Sequence, residues 1–277
     1  MRKVLLCFIL LLLPLSALAD LQLHFLDVGQ GDCTIVVCDG ESMIIDGGPE
    51  SESRVVCSYI RDTLGLTHVD YLVATHPHED HIGGLADVLN TVPVDMLYSP
   101  VSEWDSSWFQ KMKESAQAQG TQIEIPNDGD TLPLGGATVT VLHCWPDAGT
   151  FTTINDASIV TRIDYGDTAF LITGDAEYTA ELMMVDSGLP LKADVLRIAH
   201  HGSDTSTTQE FLDAVQPQYA IISVGSDNEY GHPAPEILLR LQHAYISVYR
   251  TDLHGTIVCT SDGQKMSFTM SKKNRKW

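Results

Sequence analysis

Short apolar runs alternate with segments of helical periodicity along the chain after its first twenty residues. Apolar runs bounded by Gly and Asp predict buried strands, whereas apolar positions three and four apart predict amphipathic helices. Strands are predicted over residues 21–28, 33–38, 42–47, 69–76, 94–98, 121–125, 137–143, 157–165, 168–173, 193–200, 219–224, 245–249, 256–260 and 265–270. Helices are predicted over residues 52–64, 82–90, 104–118, 177–186, 207–215 and 234–243.

This order mixes helices with several hairpins, so it fits neither a TIM barrel nor a Rossmann sheet. It favours an α/β fold in which two mixed β-sheets stack face to face and helices cover the outer surfaces. The sequence contains no internal repeat, low-complexity tract or long Pro/Ser linker. We therefore expect one domain over residues 20–277.

The first nineteen residues have the pattern of a bacterial signal peptide. Arg2 and Lys3 precede an apolar run over residues 4–13, and residues 17–19 read Ala-Leu-Ala. A membrane anchor is the alternative, but the run is short for a span and a cleavage triplet follows it. We expect residues 1–19 to be removed and the remaining chain, which has no further apolar span, to be secreted or periplasmic.

The chain is strongly acidic, with 37 Asp and Glu against 16 Lys and Arg and a net charge of −21. Proteins that coat nucleic acid neutralise phosphates with basic side chains, so this class is disfavoured. A phosphodiester substrate remains compatible with the charge, because bound divalent cations would dominate the local field. Five cysteines follow the leader, and their pairing is left open between disulfides and buried free thiols.

The densest group of metal-ligand side chains is His76-Pro77-His78-Glu79-Asp80-His81, directly after a predicted strand. Imidazole nitrogen and carboxylate oxygen both suit zinc and related divalent ions. In an extended segment His76 and His78 project to the same side. Asp80 and His81 can face a second point once the chain enters a helix, so this segment can serve two metals. The alternative is a solvated polar turn.

Several segments together resemble the metallo-β-lactamase superfamily, and in particular the hydrolase domain of ComEC-type DNA-uptake proteins. They are FLDVGQGDC (25–33), IIDGG (44–48), THPHEDHIGG (75–84), LITGD (171–175), ADVLRIAHHGS (193–203), ISVGSDNEYGHP (222–233) and YRTDLHGTI (249–257). The resemblance implies a metallo-β-lactamase-like αββα sandwich of two mixed sheets. It also implies a free-standing hydrolase without the membrane channel.

The resemblance assigns a role to each matched residue. His76 and His78 would bind a first metal, Asp80 and His81 a second, and Asp175 would bridge the two. Helix capping is the alternative role for Asp175. The last ligand would come from the pair His200 and His201, with a preference for His200 because the predicted strand ends there; the other would contact substrate or support the site.

One segment departs from the superfamily pattern. Many members carry a further histidine before the strand that leads to the bridging Asp, whereas residues 153–158 contain none. Asn155 or Asp156 would then occupy that corner, and an oxygen ligand favours manganese or magnesium over zinc. His143 could fill the same corner but is interpreted as structural, because it lies within a strand pattern.

Four further residues complete the candidate site. Asp46 would support a ligating histidine through a hydrogen bond. His232 would contact a phosphoryl oxygen or protonate the leaving group. Ser203 is a weaker candidate for holding an anionic substrate. Arg197 is interpreted as a surface or packing residue.

The predicted chemistry is hydrolysis by a hydroxide bound between two divalent metal ions, with Asp80 orienting the nucleophile. Zinc is the first expectation, and manganese and magnesium are alternatives. The favoured function is a secreted phosphodiesterase or nuclease of ComEC-like type, with DNA or a smaller ester as substrate. The alternatives are another hydrolase of this fold (phosphorylcholine-type esterase, lactonase or β-lactamase) and a non-enzymatic surface binding module.

Overall fold

The computed structural model describes residues 20–145 and 153–272. The predicted signal peptide at residues 1–19 lies outside the described residues. The strands are β1 Leu21–Phe25, β2 Thr34–Cys38, β3 Glu41–Ile45, β4 Val69–Val73, β5 Val94–Tyr98, β6 Ile123–Glu124, β7 Thr131–Leu134, β8 Ala137–His143, β9 Val160–Tyr165, β10 Thr168–Ile172, β11 Val195–Arg197, β12 Tyr219–Ile222, β13 Ser247–Arg250, β14 Ile257–Ser261 and β15 Met266–Met270.

The helices are α1 Ser53–Ser58, α2 Glu79–Ile82, α3 Leu85–Thr91, α4 Ser107–Gln119, α5 Tyr178–Asp186, α6 Gln209–Val215, α7 Pro235–His243 and α8 Thr251–His254. A 3₁₀ turn, Glu50–Glu52, precedes α1, and a π-helical turn, Tyr59–Thr63, continues it. Two more 3₁₀ turns are Ile154–Ala157 and Ala199–Gly202.

The strands form two mixed sheets. The first sheet has the order β15-β14-β1-β2-β3-β4-β5-β6, and the second has the order β13-β12-β11-β10-β9-β8-β7. Strands β3 to β6 are parallel in the first sheet, and β10 to β13 are parallel in the second. The remaining pairs are antiparallel. The predicted α/β class with two mixed sheets is therefore confirmed.

Three apolar clusters hold the layers together. The central cluster joins the facing sides of the sheets through side chains such as Phe25, Ile45, Phe170 and Ile221. A second packs α1, α3 and α4 on the outer face of the first sheet. A third packs α5, α6 and α7 on the outer face of the second. Since every strand face near the centre is covered, β10 (TAFLI) is buried at all five positions.

Most predicted elements are present, but several predicted strands are too long. The predicted strands 69–76 and 193–200 end at Val73 and Arg197, where the chain leaves the sheet. The predicted helix 82–90 is two helices separated at Gly83 and Gly84, where a Cβ atom would collide with the backbone of Glu50 or Gly47.

Strand β7 was not predicted from the sequence. Its Pro133 argues against a strand, since proline cannot donate a ladder hydrogen bond. The structure accommodates it because β7 is the edge of the second sheet. The five cysteines of the described residues are buried and free. No helix within residues 20–145 and 153–272 has the length and apolar character needed to cross a bilayer.

A buried histidine on the outer face of the first sheet makes stability depend on pH. His24 Nδ1 lies 3.0 Å from the Tyr59 hydroxyl and its Nε2 3.2 Å from Gln22 Oε1. Burial lowers the pKa of His24 from 6.5 to about 4. The unfolded chain therefore binds the proton more readily, and the folded state loses stability as the pH falls from 6.5 toward 4.

We predict that His24→Gln reduces this pH dependence of the free energy of unfolding by about 1–3 kcal/mol between pH 6.5 and pH 4.5. Urea unfolding at both pH values measures it. The control is His243→Gln, because His243 is exposed at the end of α7. An equal loss of stability in the wild type and His24→Gln would contradict the prediction.

Candidate metal centre

The candidate site lies where the parallel halves of the two sheets end. Asp46 follows β3, the segment 76–81 follows β4, Asp175 follows β10, and the segment 200–203 follows β11. Neighbouring parallel strands present their carboxyl ends at one edge, so the loops that follow them meet there. The loop 223–232, which follows β12, closes the same edge.

A single carboxylate oxygen forms the centre of this site. Asp175 Oδ2 lies 3.2 Å from His81 Nε2, 3.7 Å from His201 Nε2, 3.8 Å from His76 Nε2 and 3.9 Å from His200 Nε2. Asp175 is almost fully buried. Four imidazole nitrogens from two sheets therefore face one buried oxygen, an arrangement suited to a ligand shared by two cations.

The side chains around Asp175 fall into two groups. On one side His76 Nε2 lies 3.0 Å from His78 Nδ1. On the other side Asp80 Oδ2 lies 3.1 Å from His201 Nε2 and 3.9 Å from His81 Nε2. One ligand atom from each of Asp80, His81, Asp175 and His201 lies within 4.8 Å of the others. The His/Asp cluster is thus compatible with two metal ions.

Unsatisfied polar atoms support the same interpretation. His81 Nε2 and Asn155 Oδ1 are buried and have no hydrogen-bond partner. Such atoms are costly in a protein interior unless a ligand or ion engages them. Burial lowers the pKa of His76 well below its ordinary value, so its ring is neutral and able to bind a metal. The donor set therefore fits divalent cations.

Two of the histidines are oriented by acceptors on their other ring nitrogen. His81 Nδ1 lies 2.7 Å from Asp46 Oδ2, and His201 Nδ1 donates to the Ser223 carbonyl at 2.8 Å. Asp46 also accepts hydrogen bonds from the backbone and hydroxyl of Thr75. Both contacts turn Nε2 toward Asp175, as partners of metal-bound histidines commonly do.

Strained backbone separates the rings of the histidine pair. His200 and His201 have φ values of 50° and 54°, in the left-handed region that non-glycine residues seldom adopt. His201 is thereby buried beside Asp80, whereas His200 is half-buried and lies beside His232 and Glu177. The preference for His200 from strand alternation had no structural basis, since β11 ends at Arg197.

Glu177 is a contact of the site that sequence analysis missed. Its Oε1 lies 3.1 Å from His200 Nδ1 and accepts from Asn155 Nδ2 at 3.0 Å. Although burial opposes ionisation, hydrogen bonds from His200, Asn155 and neighbouring hydroxyls lower the pKa of Glu177 to about 2. Its position two residues after Asp175 was the only signal available in the sequence.

Three other candidates, Asp156, His143 and Ser203, make hydrogen bonds within the segments that flank the site. Asp156 accepts hydrogen bonds from the backbone of Glu177 and Ala180 and so holds the start of α5. His143 is buried and its Nε2 donates to the Asp156 carbonyl at 2.8 Å. Ser203 is buried and contacts the hydroxyl of Thr205. The structure therefore shows these three side chains in contacts that stabilise loops.

The cluster forms one wall of an open cleft of about 710 Å³. His232 lines the cleft, with its ring centroid 5.6 Å from that of His200. Tyr230 stands at the mouth, 72% exposed, and Trp108 lies at the rim. Glu79, Asp227 and Glu229 also line the cleft. No lysine or arginine is present among the described lining residues.

Of the two roles expected for Arg197, a surface or a packing residue, the structure excludes the first. Arg197 is completely buried, and its Nη2 lies 2.6 Å from Asp32 Oδ2. Its Nη1 donates to the Gly174 carbonyl at 2.5 Å and lies 3.6 Å from Asp175 Oδ1. The guanidinium therefore lies directly behind the central carboxylate.

A match to a protein-family model agrees with the metal site described above. Residues 26–226 match the family model described as the metallo-beta-lactamase superfamily. The chain belongs to the metallo-β-lactamase superfamily. Members of this superfamily are generally metal-dependent hydrolases, which agrees with the His/Asp cluster. The finer assignment of substrate does not follow from membership.

Competence proteins are among the relatives of this superfamily member. The chain is 32% identical to ComE operon protein 3 of Bacillus subtilis over 90% of its own length and 34% of that protein. It is 28% identical to Recombination protein 2 of Haemophilus influenzae (92% and 30%) and 28% identical to Competence protein ComA of Neisseria gonorrhoeae (83% and 31%). The chain spans about a third of these proteins.

Solved structures of other proteins share the fold. The metallo-beta-lactamase fold protein YhfI from Bacillus subtilis aligns with a TM-score of 0.55 at 13% identity over 88% of this chain and 100% of that chain. CmlA, a diiron beta-hydroxylase from Streptomyces venezuelae, aligns with a TM-score of 0.56 at 17% identity over 85% and 53%. At these identities the likeness concerns the fold alone.

The contacts of Asp46 give a stability prediction. Asp46→Ala leaves the His81 ring and two donors of Thr75 without their acceptor in a fully buried place. We expect the metal-free protein to lose about 3–5 kcal/mol in its free energy of unfolding. Asp70→Ala is the control, because Asp70 is partly exposed and accepts from Ser42 N. Equal losses in both variants would refute this account.

Proposed function

We propose that this protein is an exported, metal-dependent phosphodiester hydrolase that uses two divalent cations. The observation that carries the proposal is the buried oxygen of Asp175 surrounded by four imidazole nitrogens at 3.2–3.9 Å, beside Asp80 and an open cleft. Zinc is the first candidate, with manganese and magnesium as alternatives. The leader-like sequence of residues 1–19 supports export.

The contacts support one division of the ligands. His76, His78 and His200 would hold the first cation, and Asp80, His81 and His201 the second, with Asp175 shared. His200 would then take the ligand position for which residues 153–158 supply no histidine. Glu177 fixes the His200 ring through Nδ1. Asn155 is the alternative ligand for that position, because its Oδ1 is buried without a partner while its amide nitrogen donates to Glu177.

When bound, the two cations would lower the pKa of water and neutralise charge that develops on a phosphoryl or carbonyl oxygen. Asp80 lies at the cleft wall, where its carboxylate can orient the attacking water. His232 lies on the same wall and can donate a hydrogen bond to the leaving oxygen. Asn228 fixes the backbone of His232 with two hydrogen bonds.

The relatives and the cleft lining together favour one class of substrate. Competence and recombination proteins favour a nucleic-acid phosphodiester. The described cleft lining offers no basic side chain to neutralise further phosphates, and the chain carries a net charge of −21. A short or single-stranded substrate that presents one phosphodiester to the cations is therefore favoured over long duplex DNA.

A phosphorylcholine-type esterase is the second candidate. Exposed Tyr230 stands beside Asp227 and Glu229 at the cleft mouth. Aromatic faces attract quaternary ammonium groups, and neighbouring carboxylates add to this attraction. No feature of the described site favours a lactone or a β-lactam in the same way.

Loss of the ligands should abolish activity. We predict that His78→Ala combined with Asp80→Ala lowers phosphodiester hydrolysis at least about 1,000-fold, since both cation positions lose a ligand. Chelation should have the same effect on the wild type, and added zinc or manganese should reverse it. The control is His243→Ala on the exposed end of α7.

Turnover of six compounds by the metal-loaded protein tests the proposed substrate. They are single-stranded DNA, duplex DNA, bis(p-nitrophenyl) phosphate, a phosphorylcholine ester, a lactone and a cephalosporin. Preferred turnover of single-stranded DNA or the aryl diester would support the proposal. Turnover of the choline ester alone would favour the second candidate. Unchanged turnover in the double variant, or a metal-loaded protein inert toward all six, would end the proposal.

The histidine pair allows the ligand division to be tested. We predict that His200→Ala and His201→Ala each lower the number of tightly bound divalent ions from two to about one, because each ring serves a different cation. Metal analysis after dialysis measures the number. If His200→Ala retains two ions with unchanged affinity, the corner belongs to another residue, and Asn155→Ala should then lose one.

A further inference from the structure

We propose that Arg197 is a positioning residue that fixes Asp175 so that Oδ2 alone faces the cations. This inference depends on the cation cluster of the proposed function but not on the identity of the substrate. The buried ion pair of Arg197 with Asp32 has no part in the proposed reaction. Arg197 ends β11, is fully buried, and lies between Asp175 of one sheet and Asp32 of the other.

Arg197 is bound to three consecutive residues of the segment that carries Asp175. The Thr173 hydroxyl donates to the Arg197 carbonyl at 2.6 Å, and Arg197 Nη1 donates to the Gly174 carbonyl at 2.5 Å. The same nitrogen lies 3.6 Å from Asp175 Oδ1. The arginine therefore restrains both the backbone and the outer oxygen of Asp175.

The two oxygens of Asp175 consequently have different surroundings. Oδ1 faces a fixed positive charge, whereas Oδ2 faces the imidazole nitrogens of His76, His81, His200 and His201. A cation approaching Oδ1 would meet the guanidinium and be repelled. Arg197 thus excludes two-oxygen binding of a metal by Asp175 and leaves one oxygen for both cations.

Asp32 offsets the cost of burying the Arg197 guanidinium. An isolated buried guanidinium is strongly unfavourable, and Asp32 supplies the opposite charge at 2.6 Å. The backbone of Asp32 donates to the Asp80 carbonyl at 3.0 Å, and its own carbonyl accepts from Gly48 N at 2.7 Å. The chain of contacts Asp80–Asp32–Arg197–Asp175 therefore connects ligands of the first sheet with the central ligand of the second.

Two variants separate positioning from simple stabilisation. Arg197→Met should lower the melting temperature strongly, because it leaves Asp32 buried without its partner. Adding Asp32→Asn removes the unpaired charge and should recover most of this loss. If Arg197 only stabilises the fold, the double variant binds two cations like the wild type. If Arg197 positions Asp175, the double variant folds but binds at least one cation about 10-fold or more weakly.

Manganese supplies a readout that does not depend on activity. Two Mn²⁺ ions sharing one bridging oxygen give a spin-coupled electron paramagnetic resonance spectrum, and we expect this coupling to weaken in the double variant. Arg197→Lys should bind manganese with intermediate affinity, because a single ammonium cannot reach Gly174, Asp175 and Asp32 together. Arg162→Met is the matched control, since Arg162 is a half-buried arginine of the same sheet that pairs with Asp164.

The outcomes distinguish this inference from the proposed function. A wild type that binds no divalent cation would overturn both. A wild type with two coupled manganese ions and a double variant with the same affinity and spectrum would overturn the role of Arg197 alone. If the double variant does not fold, Arg197→Lys decides: wild-type affinity and coupling would overturn the inference, and weakened binding would support it.

Discussion

The structure depends on how the charges around Asp175 are compensated. A buried carboxylate lies among four imidazoles, a second carboxylate at Asp80, and a guanidinium at Arg197. Each group removed from water needs a partner, and the unpartnered Nε2 of His81 and Oδ1 of Asn155 mark where protein partners are lacking. Divalent cations would provide the missing compensation. The strands and the loops that follow them bring these groups together at one point.

Each sheet contributes through its parallel half. Strands β3 and β4 deliver Asp46 and the segment 76–81, while β10 and β11 deliver Asp175 and the histidine pair. The antiparallel halves and the apolar layer between the sheets fix the two edges relative to each other. Three of the non-glycine residues with left-handed backbone, Asp46, His200 and His201, lie at the site. Such strain persists only where surrounding contacts over-determine the conformation, and here those contacts include the Ser223 carbonyl and Thr75.

Local patterns predicted most of the fold, and they also supplied the candidate ligands of the proposed site. Apolar runs indicated the central strands correctly, since burial on both faces leaves a continuous apolar run such as that of β10. They overran the strand ends because the segments that approach the site continue apolar after the hydrogen-bonded ladder stops, as at Val73 and Arg197. The motif around residue 76 identified candidate ligands because their spacing is local. The contacts of Arg197 and Glu177 could not be inferred, since each depends on a partner distant in sequence or on a turn whose direction the sequence does not reveal.

The charge distribution also constrains the chemistry. A chain of net charge −21 repels polyanions at long range, and the described cleft lining adds Glu79, Asp227 and Glu229 to the acids of the candidate site. Attraction for a phosphate would therefore act over the short distance set by the cations themselves, since salt screens charges beyond about 8–10 Å. Under the proposed function, a substrate would place a single phosphodiester in the cleft while the rest of the molecule stays outside it. The acidic side chains that line the cleft would then disfavour an extended duplex, and the cations would supply most of the binding energy for the reacting group.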